Sequence, residues 1–140
     1  MNKFDEISRL MSASHQLYDK WARKKGINYN ILAVFYSIIH YPNCTQKDIS
    51  EHWGLAKQTV FSVCQQLAKQ ELLAFFTDDE DKRSKVLYLT DKGKAIAQPI
   101  IDEIYTIEMS VIKQFGEQEM AELVLNLQKL SGIIEQQIEV

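Results

Sequence analysis

The stretch TQKDISEHWGLAKQTVFSVCQQLAKQ, residues 45–70, leaves this chain few ways to fold. Thr45 with Asp48 three residues on has the form of a capping box, Asp standing in for the usual Glu, and Gly54 ends the helix after barely two turns. From Leu55 to Gln70, Val60, Val63, Cys64 and Leu67 recur at i, i+3, i+4 and i+7, one face of an amphipathic helix. Two short helices joined by a few residues that include a glycine form a helix-turn-helix. Opposite the apolar face lie Gln58, Ser62, Gln65 and Lys69, flanked by Lys57, Thr59 and Phe61, with no acid among them. Solvated helices usually mix Glu with Lys, whereas amides, hydroxyls and lysines alone suit phosphates and base edges. A merely polar, glutamine-rich surface is the other reading of the same face.

The flanks read as further helices. Over residues 3–24, Phe4, Ile7, Leu10, Met11, Leu17, Tyr18 and Trp21 form one stripe, ended by Arg23-Lys24-Lys25-Gly26 with cations and a glycine suited to a helix C-terminus. A second helix is expected from about Asn28 to His40, broken by Tyr41-Pro42-Asn43. ELLAFFTDD and KVLYLTDKG read as two strands. The connection between them, roughly Asp78 to Ser84, is longer than a hairpin prefers and is expected to project. Across Asp78 to Lys85 it packs four acids and three bases into eight positions. Thr90-Asp91 opens a long helix to about Phe115, with Pro99 as a late first-turn residue or a kink, and Gly116 separates it from a last helix.

In that last helix Met120, Leu123, Leu127, Leu130 and Ile134 follow a heptad seam. The preceding one carries Ile96, Ile100, Ile104, Ile107, Val111 and Phe115. Two helices this apolar exceed what a small winged domain covers, so part of their surface is expected to bury against a second copy. Packing against the first helix alone is the alternative.

At 140 residues the chain has the length of one domain, and 46% hydrophobic with 25% charged residues matches a globular protein. The N-terminus MNKFDEISRL lacks the apolar stretch of a signal peptide and no run is long enough to span a bilayer, so a cytoplasmic protein without membrane contact is expected. Net charge is −3, yet residues 95–140 hold eight acids against two bases, while residues 1–44 hold six bases against three acids. An anionic partner therefore fits the first two thirds. Cys44 and Cys64 lack metal-ligand spacing, and His15, His40 and His52 are dispersed, so neither a metal nor a cofactor is expected. No phosphate loop or nucleophile-base spacing appears, which argues against an enzyme.

With these motifs in order, the chain resembles the MarR (multiple antibiotic resistance regulator) family of transcriptional regulators, from about Gly26 to Gly93. TQKDISEHWGLAKQTVFSVCQQLAKQELL is similar to the family's helix, apolar turn residue, recognition helix with a Thr-Val pair, and Leu-Leu step into the wing. DKRSKVLYLTDKG is similar to its wing pattern, Asp-x-Arg, a basic position, a strand and Leu-Thr-x-x-Gly. The resemblance implies a mainly α fold with a small β-hairpin wing: a single domain over 1–140, with a winged helix-turn-helix at 28–93 and helical dimerisation segments at 1–25 and 94–140. It implies a homodimeric, sequence-specific repressor on double-stranded DNA with a pseudo-palindromic operator, controlled by a small phenolic or other aromatic ligand.

Carried over by position, Lys57, Gln58, Thr59, Phe61 and Ser62 form the recognition helix's contact set, with Lys47 and Lys69 on the backbone. In the wing, Arg83 stands where the family's arginine enters the minor groove, Asp81 where its orienting carboxylate sits, and Lys82 and Lys85 where phosphate contacts fall. Phe61 and Ser62 depart from the family, which often has a small polar residue and an Arg there; Phe61 is expected to pack on the wing. His15, Tyr18, Trp21 and Tyr36 are candidates for the ligand cleft. Phe4, Ile7, Ile107, Val111, Leu123, Leu127, Leu130 and Ile134 are candidates for dimerisation. A winged module for protein interaction and an oxidation-sensing regulator using Cys44 or Cys64 remain alternatives.

Overall fold

In the computed structural model, which describes residues 2–77 and 85–138, the element order is α1 (Lys3–Lys24), α2 (Tyr29–His40), α3 (Gln46–Trp53), α4 (Lys57–Lys69), β1 (Leu73–Thr77), β2 (Lys85–Leu89), α5 (Asp91–Phe115) and α6 (Glu117–Ile138). The chain divides into two compact units, Met1–Ile101 and Asp102–Val140, with the division falling inside α5.

The first unit is built around α2. Leu32, Ala33, Val34, Phe35 and Ser37 are all buried, so this helix is covered on several sides rather than along one stripe. Ile49 of α3, Val60, Cys64 and Leu67 of α4, Leu73, Leu87 and Leu89 of the hairpin, and Ala97 and Ile101 of α5 complete the core. The hydroxyl of Ser37, within this core, is satisfied: its Oγ donates to the Ala33 carbonyl at 2.7 Å and accepts from Trp53 Nε1 at 2.8 Å.

The capping box at α3 forms, with Asp48 N–H donating to Thr45 Oγ1 at 3.2 Å and Thr45 N–H to Asp48 Oδ2 at 3.0 Å. Gly54 closes α3 in the left-handed region, φ +65°. The turn is then locked from both sides, because Leu55 N–H donates to the Ser50 carbonyl and Ser50 Oγ returns a bond to the Leu55 carbonyl at 2.7 Å. That lock fixes how α4 leaves α3.

β1 and β2 pair antiparallel, from Leu73 opposite Leu89 to Thr77 opposite Lys85, so the connection spans residues 78–84. The free edge of β2 is also held: Thr45 bridges Val86, and Leu87 N–H donates to the Cys44 carbonyl at 2.8 Å. The hairpin is therefore tied to the residue that caps α3. At its base, Thr90 Oγ1 donates to the Glu71 carbonyl at 2.6 Å and accepts from Gly93 N–H at 3.0 Å. A Cβ on Gly93 would run into the Leu72 carbonyl oxygen. This gives the Leu-Thr-x-x-Gly pattern a physical meaning: threonine caps α5 and clamps the α4–β1 turn, and glycine lets the two segments touch.

Pro99 lies in the third turn of α5, not the first, and the helix continues through it. In the second unit, Gly116 at φ +113° separates α5 from α6. Helix α6 has no fully buried residue, and Leu123, Val124, Leu125, Leu127, Ile133 and Ile138 are exposed. Among the described residues no helix is long and apolar enough to cross a membrane.

Candidate nucleic-acid interface

Helix α4 begins at Lys57 after Ala56, which makes no side-chain cap bond, and buries Val60, Val63, Cys64 and Leu67. That burial turns Lys57, Gln58, Phe61, Ser62, Gln65, Gln66 and Lys69 outward, with Thr59 half-buried beside Val60. The sequence of α4, KQTVFSVCQQLAK, contains two lysines and no acid. Where the first turns of α3 and α4 meet, Gln46, Lys47, Lys57, Gln58 and Phe61 line a hollow of about 320 Å³. Four residues assigned separately to the interface, Lys47, Lys57, Gln58 and Phe61, thus converge on one concave place. Its walls carry two ammonium groups, two amides and an aromatic face, the donors and apolar contact that a phosphate backbone and base edges accept.

Phe61 is the residue whose position the sequence least foresaw. It sits 47% exposed on α4 and lines this hollow beside the first turn of α3. Lys47 makes a long contact to Glu51, 3.9 Å between exposed side chains, which leaves it available to an anion. On the hairpin Lys85 is exposed, with Nζ 5.7 Å from the centre of the Phe75 ring. Asp81, Lys82 and Arg83 lie outside the described residues. Phe76 and Tyr88, exposed and edge-to-face at 6.1 Å, form an aromatic pair on the hairpin that sequence reasoning passed over. The alternation of buried Leu73, Leu87 and Leu89 with exposed partners was the signal for them.

The proposed ligand cleft is gathered only in part. His15 of α1 stacks on Tyr29 at 3.7 Å, and both line a hollow of about 380 Å³ with Asp19, Lys20, Arg23 and Asn30. Tyr36 lies further along the same train of rings, edge-to-face with Trp53, which in turn meets Tyr29 edge-to-face. Tyr18 and Trp21 are not among that hollow's lining residues; Trp21 has the Lys25 ammonium over its ring at 5.5 Å. Tyr29, the ring that organises the place, gave no signal in sequence because it opens α2 just behind the Asn28 cap.

Asp19 holds this region together. Its carboxylate accepts from Arg23 Nε at 2.8 Å and from Tyr29 N–H at 2.9 Å, joining α1 to the start of α2. The Arg23 bond first, and the Tyr29 amide second, lower its pKa below the ordinary 3.8. Burial raises the Tyr29 phenol, which therefore stays protonated.

Both cysteines are buried. Burial, with Asp48 nearby, pushes the Cys44 thiol up to about 11; burial, with Cys44 nearby, pushes Cys64 up to about 12. Both shifts favour the protonated thiol at neutral pH, which weighs against an oxidation sensor at these positions.

Of the residues assigned to dimerisation, Phe4, Ile107, Val111, Leu123 and Leu127 are exposed, and Ile7, Leu130 and Ile134 are half-buried. Among the described residues no group of three His, Cys, Asp or Glu converges to hold a metal.

Residues 25–84, from the end of α1 to the hairpin connection, match the MarR family. A solved MarR family regulator from Neisseria meningitidis is 34% identical, superposes with a TM-score of 0.88, and the alignment covers 99% of this chain and 98% of that one. The MepR–DNA complex of S. aureus is 20% identical with a TM-score of 0.73 over 96% of this chain and 99% of that one, which shows a shared fold. A curated relative, the HTH-type transcriptional regulator Hpr of Geobacillus thermodenitrificans, is 21% identical over 85 residues, 61% of this chain and 42% of that protein. The match thus spans less than half of that relative's length.

Proposed function

Because this chain belongs to the MarR family of transcriptional regulators, we propose that it is a sequence-specific DNA-binding repressor that works in the cytoplasm as a homodimer on an inverted repeat. The observation that carries this reading is the acid-free outer face of α4, with Lys47, Lys57, Gln58 and Phe61 drawn to one hollow. Lysines 47, 57, 69, 82 and 85 position each subunit on phosphates, and Gln58, Thr59 and Ser62 read base edges in the major groove. Phe61, standing out from the helix, offers an apolar contact to a thymine methyl. Arg83, in the connection that the strand register assigns to 78–84, is the minor-groove probe, steered by Asp81 and flanked by Lys82. The exposed apolar positions of α1, α5 and α6 support pairing with a second copy. Small-molecule control enters through the His15–Tyr29 hollow, which lies between the helix carrying Phe4 and Ile7 and the central helix of the reading head.

Selection of bound DNA from a random pool at physiological salt tests the reading. It should return an inverted repeat with half-site centres about one helical turn apart, roughly 34–36 Å. Arg83→Ala should then lose most of the affinity for that sequence, and Lys113→Ala, in the acidic third, should not. Recovery of no sequence, with binding only to a protein partner, would replace this reading by the interaction-module one.

A further inference from the structure

A separate hollow of about 430 Å³ lies between the end of α2 and helix α3, lined by Tyr41, Pro42, Cys44, Asp48, Glu51 and His52, with Ser37 at its floor. We propose that it is a binding site for a small organic cation, an arylalkylamine whose ammonium meets the Asp48 and Glu51 carboxylates while its ring lies against Tyr41 and His52.

The chemistry of the walls selects this class. Tyr41 and His52 come from different elements and form one aromatic surface, ring centres 4.9 Å apart and tilted by 57°, held by a 3.2 Å contact between the Tyr41 hydroxyl and His52 Nε2. Pro42 extends that surface without adding a donor. Asp48 and Glu51 stand one turn apart on α3, and none of the described lining residues is Lys or Arg. Lys47 reaches Glu51 only at 3.9 Å with both side chains largely in water, a weak contact that a ligand's ammonium can displace. A cation over aromatic faces with carboxylates beside it gains from both. The volume lies within the range of small-molecule pockets. Among the described residues no three ligating side chains converge there to hold a metal. The α1–α2 hollow is opposite in kind, for it presents Lys20 and Arg23.

The location gives such a ligand leverage. It would bridge the last turn of α2 to α3, next to Cys44, whose carbonyl holds the edge of β2. Trp53 reports on the place directly, because its indole donates to Ser37 and its ring meets His52 at 6.1 Å.

In the full chain carrying Trp21→Phe, which leaves Trp53 as the one tryptophan, fluorescence is titrated with 2-phenylethylamine, 2-phenylethanol and 3-phenylpropionate in the absence of DNA. The amine should give a saturable change at millimolar concentration, the alcohol a weaker one and the anion none. Glu51→Gln should weaken the amine about threefold to fivefold, the size of a partly exposed ion pair, and His52→Ala should weaken it too. Absence of a saturable amine response, equal responses to all three probes, or an amine affinity indifferent to both substitutions would overturn the proposal. Because no DNA is present, the outcome stands apart from that of the operator reading.

Discussion

Cys64 and Ser37 show how much a single buried atom decides. With the thiols pushed up to about 11 and about 12, native Cys44 and Cys64 hold at least about a hundredfold less thiolate at pH 7 than a thiol of ordinary value 9.0. A chromogenic disulfide should therefore label both slowly in the folded protein and rapidly after denaturation; a fast native phase would show an accessible thiol. The linkage runs toward alkali. A raised folded pKa keeps its stabilisation below pH 9 and loses it as pH climbs toward 11 to 12, so the melting temperature should fall over that window and fall less in Cys64→Val. Ser37 poses the complementary case. Ser37→Ala removes the acceptor for the half-buried Trp53 indole, at a cost of about 1 kcal/mol. Urea unfolding with an unchanged slope and a lower midpoint would register it.

At the scale of elements, the joints matter more than the rods. Gly93→Ala forces a methyl against the Leu72 carbonyl at the hairpin base and should cost about 1–3 kcal/mol by overpacking. Gly54→Ala meets open space but must hold φ +65°, so its cost should be about 1 kcal/mol and should be largely recovered in Gly54→Asn. Chemical denaturation of the three variants checks the order. Asp19 joins α1 to α2, and its lowered pKa means that its contribution is present above pH 3.8 and lost as pH falls through the lower folded value. Asp19→Asn should flatten the acid limb of the stability profile in that window; an unchanged acid limb would mean that the α1–α2 joint does not depend on this carboxylate.

These joints also mark where sequence reading succeeds and stops. Helix ends were legible because Asn28, Thr45-Asp48, Gly54 and Gly116 are local capping and breaking chemistry, and the buried faces of α4 and the hairpin because their periods are 3.6 and 2. The hollows were not legible. Phe61 and Lys47 line one hollow from two helices, and His15 meets Tyr29 across two helices, so their neighbours are set by how elements cross rather than by spacing along one of them. Tyr36 was placed with His15 on aromatic character alone, and the structure inserts Tyr29 and Trp53 between them.

The molecule as a whole is polarised in charge, and that polarity decides how DNA binding should respond to salt. The C-terminal third carries −6, while α4 carries two lysines and no acid. A net charge of −3 therefore does not oppose DNA binding so long as the acids stay away from the phosphates. On the proposed reading five lysines per subunit, 47, 57, 69, 82 and 85, make ten phosphate contacts in a dimer, and at about −0.9 per neutralised phosphate the log–log slope of affinity against salt should be near −9. Lys57→Ala removes one contact from each subunit. Its slope should be shallower by about 2, with little change in which sequence is preferred, since a phosphate contact positions without reading. Gln58→Ala should do the reverse, leaving the slope and relaxing the preference. If Lys57→Ala alters sequence choice while the slope holds, α4 lies in the groove in a different register, with the lysine at the base edges and the hollow around Phe61 facing away from the backbone.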